Sequence, residues 1–395
     1  MRRDGYKIFS EGKIGNLKLP NRLVRSATSS EINTTRKVTD EVLRLYKELA
    51  EGGVGMIITG LIFVAEKGKT NTEVGQTYHE RHIEGIERIA KVIHNSAAGC
   101  KIVAQVEAGV GKDAGASYFP TPFPCRKVRA LSVEEIRNIE DCFVGVICRL
   151  KEAGFDGVQL HGAHGYFLSR FLSPYMNRRT DEYGGSARNR ARIVREIVSK
   201  AREKVGDFPI LIKMNCTDHI EGGIDIDTFP EIATEVASAG VNAIEVSGGI
   251  VECLLRTEEE LGFRPFPDPE SHTRINTPEK QCYHLKYAEK LELGIPVILV
   301  GGNRDIEWLD KIVSQGKVDF IALCRPLISE PDLPNRWLEG RGSNTTDCIS
   351  CNSCLYYPLI GEVYTVAYCV FKQDKQRYKM VQEALTSWFE NNFLR

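Results

Sequence analysis

Strand-like and helix-like segments alternate along nearly the whole chain, and eight such pairs follow one another. The strand-like segments are too apolar to face water on either side, which is typical of parallel strands covered by helices. Eight pairs predict a (β/α)8 barrel (TIM barrel), an α/β fold that collects ligand-binding groups at the carboxyl ends of its strands. A doubly wound open sheet is the alternative, but the G-x-G-x-x-G fingerprint typical of that fold is missing after the first strand. The predicted strands are 22–27, 54–59, 101–106, 155–160, 209–214, 243–246, 296–300 and 319–323.

The predicted helices begin at recognisable capping signals. Thr39 and Ser186 are N-cap candidates, and the run SVEE from Ser132 has the pattern of a capping box. After the sixth strand, the connection 248–276 is long, which in a compact domain predicts a lid or binding loop. The predicted helices cover 39–52, about 79–98, a segment from 132, 186–205, 228–239, a segment after 277–278, 304–315 and 331–339.

Composition and charge exclude several classes of protein. The chain has 395 residues, a formal net charge of -1 and 42% hydrophobic residues, which is ordinary for a globular protein and gives no case for nucleic acid or an acidic membrane surface. The N-terminus lacks the apolar core of a signal peptide, and no apolar run is long enough to cross a bilayer. We therefore expect a cytoplasmic protein, in which the 12 cysteines act as thiols or metal ligands rather than disulfides.

Two domains are predicted. Residues 1–342 form the barrel, 341–347 read as a linker, and 343–395 form an extension with a cysteine cluster and a final amphipathic helix. We expect this helix to pack on the barrel or on a second subunit of a homo-oligomer. Its apolar face carries Tyr378, Val381, Leu385, Trp388 and Phe389.

Three residues with acid–base or hydrogen-bonding chemistry follow the fourth strand, in the pattern His161-x-x-His164-x-Tyr166. The two histidines can donate hydrogen bonds to one substrate oxygen, and the tyrosine hydroxyl can give or take a proton. On these residues alone, a structural role for a histidine near a strand end is the commoner alternative.

Cations and glycines lie at or near the ends of other strands. Lys213 stands inside a buried strand, which is costly unless the lysine is paired or functional. Gly301-Gly302 follow the seventh strand and Cys324-Arg325 the eighth, where barrels cradle phosphates. Paired glycines after strands are also common turns, so each signal is weak by itself.

The run HGAHGYFLSRFLSPYMNRRTDEYGGS closely resembles the signature of the old yellow enzyme family, FMN-dependent NAD(P)H oxidoreductases. The resemblance covers about residues 5–370. It implies that His161 and His164 bind a substrate carbonyl, that Tyr166 delivers a proton, and that NAD(P)H is a co-substrate. It further implies FMN-binding roles for Ala27, Thr28, Gly60, Gln105, Lys213, Gly248, Gly249, Gly301, Gly302, Cys324 and Arg325.

One segment departs from that family. After the strand-three glutamine, relatives commonly carry a histidine followed by Gly-Arg, whereas this chain reads Gln105-Val-Glu107-Ala-Gly-Val-Gly. The departure leaves open the range of substrates and the mode of nicotinamide binding.

A cysteine cluster follows the barrel, with the spacing Cys348-x2-Cys351-x2-Cys354-x14-Cys369. Four thiolates at this spacing suit a [4Fe–4S] cluster; zinc and unliganded thiols are the alternatives. The segment CISCNSCL resembles the cluster-binding segment of multidomain family members such as 2,4-dienoyl-CoA reductase and trimethylamine dehydrogenase. The gap to Cys369 is longer than in those relatives.

Three functions follow from these patterns. The first is NAD(P)H-dependent reduction of an activated C=C bond in a small molecule. The second is a flavin dehydrogenase or demethylase that passes electrons through the cluster to a redox partner protein. The third is a non-catalytic barrel with structural zinc.

Overall fold

The computed structural model describes residues 2–28, 38–63, 80–96, 99–108, 114–117, 129–356, 360–361 and 366–393. Eight parallel strands close into a barrel in chain order, which confirms the predicted fold. Each strand pairs with its neighbours in sequence, and the sixth pairs with the fifth and the seventh. The strands are Leu23–Arg25, Met56–Phe63, Lys101–Glu107, Gly157–Gly162, Ile210–Asn215, Ala243–Ser247, Val297–Leu299 and Phe320–Leu323.

Helices cover the barrel on its outside, and the capping signals hold where they were predicted. The Thr39 side chain accepts a hydrogen bond from the Val42 N–H, Ser132 forms a capping box with Glu135, and Ser186 caps the next helix. The main outer helices are Asp40–Glu51, Glu80–His94, Val133–Glu152, Arg192–Val205, Phe229–Ser238, Ile306–Ser314 and Leu333–Leu338.

Two predicted helices differ from expectation. The segment after Ser186 forms two pieces, Ala187–Arg190 and Arg192–Val205. After the sixth strand, the expected helix is reduced to a 3-10 turn, Pro278–Lys280, and a short helix, Leu285–Ala288. Cys282 lies between them with φ 50°, a left-handed conformation that a helix does not continue through.

The side chains inside the barrel change from apolar to polar towards the carboxyl ends of the strands. A hairpin, Gly12–Ile14 and Leu17–Leu19, packs its apolar side chains into a lower layer that includes Val103, Leu211 and Ala243. Because strand side chains alternate between faces, the residues two positions further along these strands point the same way. Those residues are Gln105, Lys213 and Glu245.

The cysteine-rich extension packs on the long loop after the sixth strand. Leu254 and Phe266 of this loop form an apolar cluster with Val370, Val381 and Leu385. The final helix, Lys375–Phe393, thus packs on a loop of the barrel segment 1–342, which is one of its two expected partners.

The predicted linker 341–347 also lies against the barrel. The Arg336 side chain donates hydrogen bonds to the carbonyls of Ser343 and Thr345 at 2.6 and 2.9 Å, and Thr345 forms a β-bridge with Asp305. Within the part of the chain that the structure describes, no helix has the length and apolar character needed to cross a membrane.

We expect Leu385→Ala to release the extension while the barrel stays folded. Leu385 is 4% exposed in a small cluster, and truncating a buried leucine costs about 2–5 kcal/mol. Limited proteolysis with mass spectrometry should show new cleavage after residue 343. Met380→Ala, at a 45% exposed position of the same helix, is the control; equal resistance in the two variants would contradict the packing.

Candidate active site at the carboxyl end of the barrel

A cavity of about 420 Å³ opens where the strands end. Its walls come from segments after the first, fourth, seventh and eighth strands, from the long loop and from the cysteine segment. This volume lies within the range of about 300–1,000 Å³ typical of cofactor and ligand sites. Nine residues singled out from the sequence line it: Ala27, Thr28, His164, Tyr166, Lys213, Gly301, Gly302, Cys324 and Arg325.

Five other residues that the sequence assigned to the flavin or to the substrate do not line this cavity. The His161 ring packs beside the lining residue Tyr166, and the Gln105 amide donates to Gln159. The Gly60 N–H donates to the Tyr46 hydroxyl at 3.3 Å. A Cβ on Gly249 would lie 2.7 Å from the Pro269 carbonyl oxygen, so this glycine makes room for the long loop. A Cβ on Gly248 would lie 3.1 Å from the carbonyl oxygen of Thr217.

A buried hydrogen-bonded chain forms the floor of the cavity. The Lys213 ammonium lies 3.2 Å from the Glu245 carboxylate, and their side chains are only 5% and 0% exposed. The Ser26 hydroxyl accepts from Lys213 at 2.9 Å and donates to Glu245 at 2.6 Å. The Gln159 amide donates to Glu245 at 2.7 Å and accepts from Gln105 at 2.8 Å.

This network explains why a lysine and a glutamine stand inside apolar strands. Lys213 presents an ammonium group to the cavity, but Glu245 balances its charge. Sequence reasoning missed Ser26, Gln159 and Glu245. A polar residue inside an apolar strand, the signal that identified Lys213, would also have found Gln159 and Glu245.

The two histidines and the tyrosine meet at one end of the cavity. The ring of His161 lies 4.6 Å from that of Tyr166 and 5.3 Å from that of His164, measured between centroids. Burial lowers the pKa of both histidines well below the usual range, so both rings are neutral. Burial also raises the pKa of Tyr166, with further contributions from Glu270, Glu107 and Asp268, so the hydroxyl stays protonated and can donate.

His164 has more partners than the sequence predicted. Its Nδ1 contacts the Glu270 carboxylate, and its Nε2 lies 2.8 Å from the Ser247 hydroxyl. A neutral imidazole has one N–H. The Ser247 hydroxyl occupies Nε2, whereas the contact of Nδ1 with Glu270 lacks hydrogen-bond geometry, because Glu270 Oε2 has no hydrogen-bond partner among the described residues. His161 differs, because its Nδ1 is buried without a hydrogen-bond partner.

Glu107, the residue that departs from the family pattern, contacts the backbone next to Tyr166. Its carboxylate accepts a hydrogen bond at 3.2 Å from the backbone N–H of Phe167, the residue after Tyr166. It thereby supports the start of the helix Phe167–Leu172. The rest of the departure, residues 109–111, lies outside the described residues.

Arginines and glycines form the opposite end of the cavity. Arg325 is buried and donates to the His272 carbonyl at 2.9 Å and to the Asn352 side chain at 2.6 Å. Arg304 donates to the Ser350 hydroxyl at 2.6 Å and also to the Cys348 carbonyl. This end therefore concentrates cationic donors, as an anion-binding site requires.

Gly301 and Gly302 have positive φ angles, 115° and 72°. A Cβ on Gly301 would lie 2.6 Å from the Tyr283 ring and 2.8 Å from His284, so these glycines leave space for two rings that line the cavity. Neither Tyr283 nor His284 was singled out from the sequence.

On the cavity wall, His284 and Asn303 each have an acceptor atom without a hydrogen-bond partner among the described residues. His284 donates through Nδ1 to the Val300 carbonyl at 3.0 Å, and burial lowers its pKa to about 3, so Nε2 is an acceptor. The Asn303 amide nitrogen donates to two backbone carbonyls, while its oxygen is unpartnered. Because buried polar atoms are normally paired, a hydroxyl-rich ligand fits this wall.

The four cysteines of the extension surround one small cavity of about 20 Å³. Arg325 lines both this cavity and the large one, so the two share a wall. In the described ranges, no three or more His, Cys, Asp or Glu side chains are grouped closely enough to hold a single metal ion. The lining cysteines are Cys348, Cys351, Cys354 and Cys369.

Comparison with known proteins identifies the family. The model of the NADH:flavin oxidoreductase / NADH oxidase family matches residues 7–344. The chain belongs to this family. Members similar to it include an NADH oxidase of Thermoanaerobacter brockii, 34% identical over 87% of this chain and 52% of the relative. An NADPH dehydrogenase of Bacillus cytotoxicus is 30% identical over 83% of this chain and 91% of the relative.

Solved structures agree on the fold. A 2-naphthoyl-CoA reductase in complex with 2-naphthoyl-CoA superposes with a TM-score of 0.76 and 26% identity, over 92% of this chain and 56% of that chain. The chain thus spans about half the length of this enzyme and of the NADH oxidase.

We expect the effects of substitutions at Lys213 and Glu245 on the free energy of unfolding to be strongly coupled. Removing one partner leaves a buried uncompensated charge, which costs about 3–5 kcal/mol. Lys213→Met and Glu245→Gln should each lower the free energy of unfolding, measured by urea denaturation, while the double variant should lose less than the sum of the two. Additive losses would contradict a direct interaction.

Proposed function

We propose that this protein is an FMN-dependent oxidoreductase that reduces an activated C=C bond with electrons from NAD(P)H. The observation that carries the proposal is one cavity with a cationic, glycine-lined end and an end lined by His164 and Tyr166, beside which the His161 ring packs. When bound, FMN would supply hydride chemistry, taking electrons from NAD(P)H and passing them to an electron-poor carbon.

The residues fit such a cofactor. Arg325, Arg304 and the Gly301-Gly302 turn would hold the phosphate. Lys213, to which Gln105 is linked through Gln159 and Glu245, would face the pyrimidine edge. The unpartnered acceptors of His284 and Asn303 suit the hydroxyls of a ribityl chain.

At the other end, His161 would donate to the substrate carbonyl and stabilise the charge that develops there. Tyr166 would transfer its hydroxyl proton to the neighbouring carbon. Its raised pKa keeps this proton in place until the carbon becomes basic.

We expect Tyr166→Phe to slow only the second half-reaction. Reduction of the flavin by NAD(P)H needs no proton from Tyr166, whereas oxidation by an enone does, so that step should fall roughly 10²-fold. Stopped-flow absorbance would measure both steps. Tyr175→Phe, at a residue outside the cavity lining, is the control; an equal slowing of both steps by Tyr166→Phe would count against this role.

A second function is favoured by the wall that the two cavities share. We infer that Cys348, Cys351, Cys354 and Cys369 hold a [4Fe–4S] cluster, because they surround one space next to Arg325. A dehydrogenase or demethylase that passes electrons to a redox partner protein would use this proximity. Four thiolates around structural zinc are the competing arrangement.

Metal content and one variant separate these functions. Protein made anaerobically should contain about four irons and four sulfides per chain. Cys351→Ala should lose them while the barrel keeps FMN, and Cys148→Ala, on an outer helix, should keep both. If the cysteine cluster passes electrons to a partner, Cys351→Ala should no longer reduce a one-electron acceptor protein, although hydride transfer at the flavin persists. Protein that contains zinc and no iron would rule out electron transfer through the cysteine cluster.

A further inference from the structure

Glu245 is a buried carboxylate beneath the large cavity, and it does not line the cavity itself. It stands opposite Lys213 in the register of the fifth and sixth strands, and Lys213 does line the cavity. The ammonium and the carboxylate lie 3.2 Å apart, and both side chains are buried. Glu245 can therefore influence a ligand in the cavity through its charge and its hold on Lys213, rather than by contact.

Hydrogen bonds fix the carboxylate of Glu245 beside the ammonium group. It accepts from the Ser26 hydroxyl at 2.6 Å and from the Gln159 amide at 2.7 Å. The Ser26 hydroxyl accepts in turn from Lys213 at 2.9 Å, and the Gln159 amide accepts from Gln105 at 2.8 Å. Because all five side chains are buried, the carboxylate has no path to water and stays next to its counter-charge.

The opposing effects of the two charges reach the cavity wall. Burial lowers the pKa of His164, which lines the cavity, and the charge of Lys213 lowers this pKa further. The charge of Glu245 acts on the same ring in the opposite direction. Glu245 thus offsets part of the positive potential that Lys213 produces in the cavity.

The other cationic side chains among the described lining residues belong to the opposite end of the cavity. They are Arg304 and Arg325, and both are hydrogen-bonded to the cysteine segment, through Ser350 and Asn352. The balance between the ammonium and the carboxylate therefore decides the charge at the end of the cavity where the pyrimidine edge of a flavin would lie.

We propose that Glu245 lowers the reduction potential of the bound flavin by compensating the charge of Lys213. The inference rests on the proposed function, because it takes this cavity as the FMN site. A flavin that accepts a hydride, which is two electrons and one proton, gains a negative charge at its pyrimidine edge. An uncompensated ammonium beside that edge would stabilise the reduced form. With Glu245 in place this stabilisation is smaller, so the reduced flavin is a stronger hydride donor to the C=C bond.

The experiment compares how tightly the holoenzyme holds oxidised and reduced FMN. Anaerobic titration with reference dyes gives the midpoint potential, and the fluorescence of FMN released on dilution gives the dissociation constant of the oxidised form. Glu245→Gln removes the charge and keeps the shape of the side chain. We expect it to shift the ratio of the two dissociation constants at least about tenfold in favour of reduced FMN, which raises a two-electron potential by about 30 mV.

Two further variants separate charge from structure. Glu245→Asp keeps the charge on a shorter side chain and should leave the ratio within about threefold of the wild type, although it lowers stability. Glu140→Gln removes another buried carboxylate, which lies 3.0 Å from the Lys200 ammonium on an outer helix, and should leave the ratio unchanged. A merely structural role for Glu245 would move the Asp and Gln variants in the same direction.

A double variant keeps the test valid if the unpaired ammonium of Glu245→Gln prevents folding. Lys213→Met leaves the carboxylate of Glu245 without its counter-charge, which should favour oxidised FMN. Lys213→Met combined with Glu245→Gln makes the floor of the cavity neutral again. The double variant should therefore favour reduced FMN at least about tenfold more than Lys213→Met does, and equal ratios in these two variants would overturn the inference.

The outcomes separate the two proposals. An FMN-loaded wild type whose potential equals or exceeds that of Glu245→Gln overturns the role of Glu245 and leaves the proposed function standing. A wild type that takes up no FMN overturns the proposed function and this inference with it.

Discussion

The buried pair of Lys213 and Glu245 is the interaction on which the rest of the site depends. An ammonium and a carboxylate inside a barrel are tolerated only when each compensates the other and the remaining hydrogen bonds are satisfied. Ser26 and Gln159 supply those bonds, and Gln159 extends the chain to Gln105. The network joins four strands and Ser26, the residue after the first strand, so the floor of the cavity is rigid where a cofactor would rest.

The long loop after the sixth strand links this floor to the cysteine segment. It brings Glu270 to His164, and it is held in turn by Asn352 and Arg325. Arg325 lies in the walls of both cavities. A movement of the cysteine segment would therefore displace the long loop at one end of the large cavity and Arg325 at the other.

Much of this architecture was predictable from the sequence, because local signals decide it. The alternation of apolar strands and helices gives the barrel, and Thr39, Ser132 and Ser186 mark helix starts by the chemistry of their side chains. The signature around His161, His164 and Tyr166 located one end of the site.

The partners of those residues were not predictable, because they come from distant parts of the chain. Lys213 required a partner on physical grounds, but the choice of Glu245 depends on the register of the fifth and sixth strands. Glu270 reaches His164 only because the long loop folds back over the barrel, and its sequence has no period that would indicate such a path. The shortened sixth helix depends on a left-handed Cys282, which is not a residue type that favours this conformation.

We propose that this cavity binds FMN and carries electrons from NAD(P)H to an activated C=C bond. Anaerobic visible spectroscopy of the purified protein tests it most directly. We predict flavin absorbance that bleaches on addition of NADH or NADPH and returns on addition of one equivalent of 2-cyclohexenone. A colourless protein that takes up no FMN, or a flavin that neither nicotinamide reduces, would contradict it.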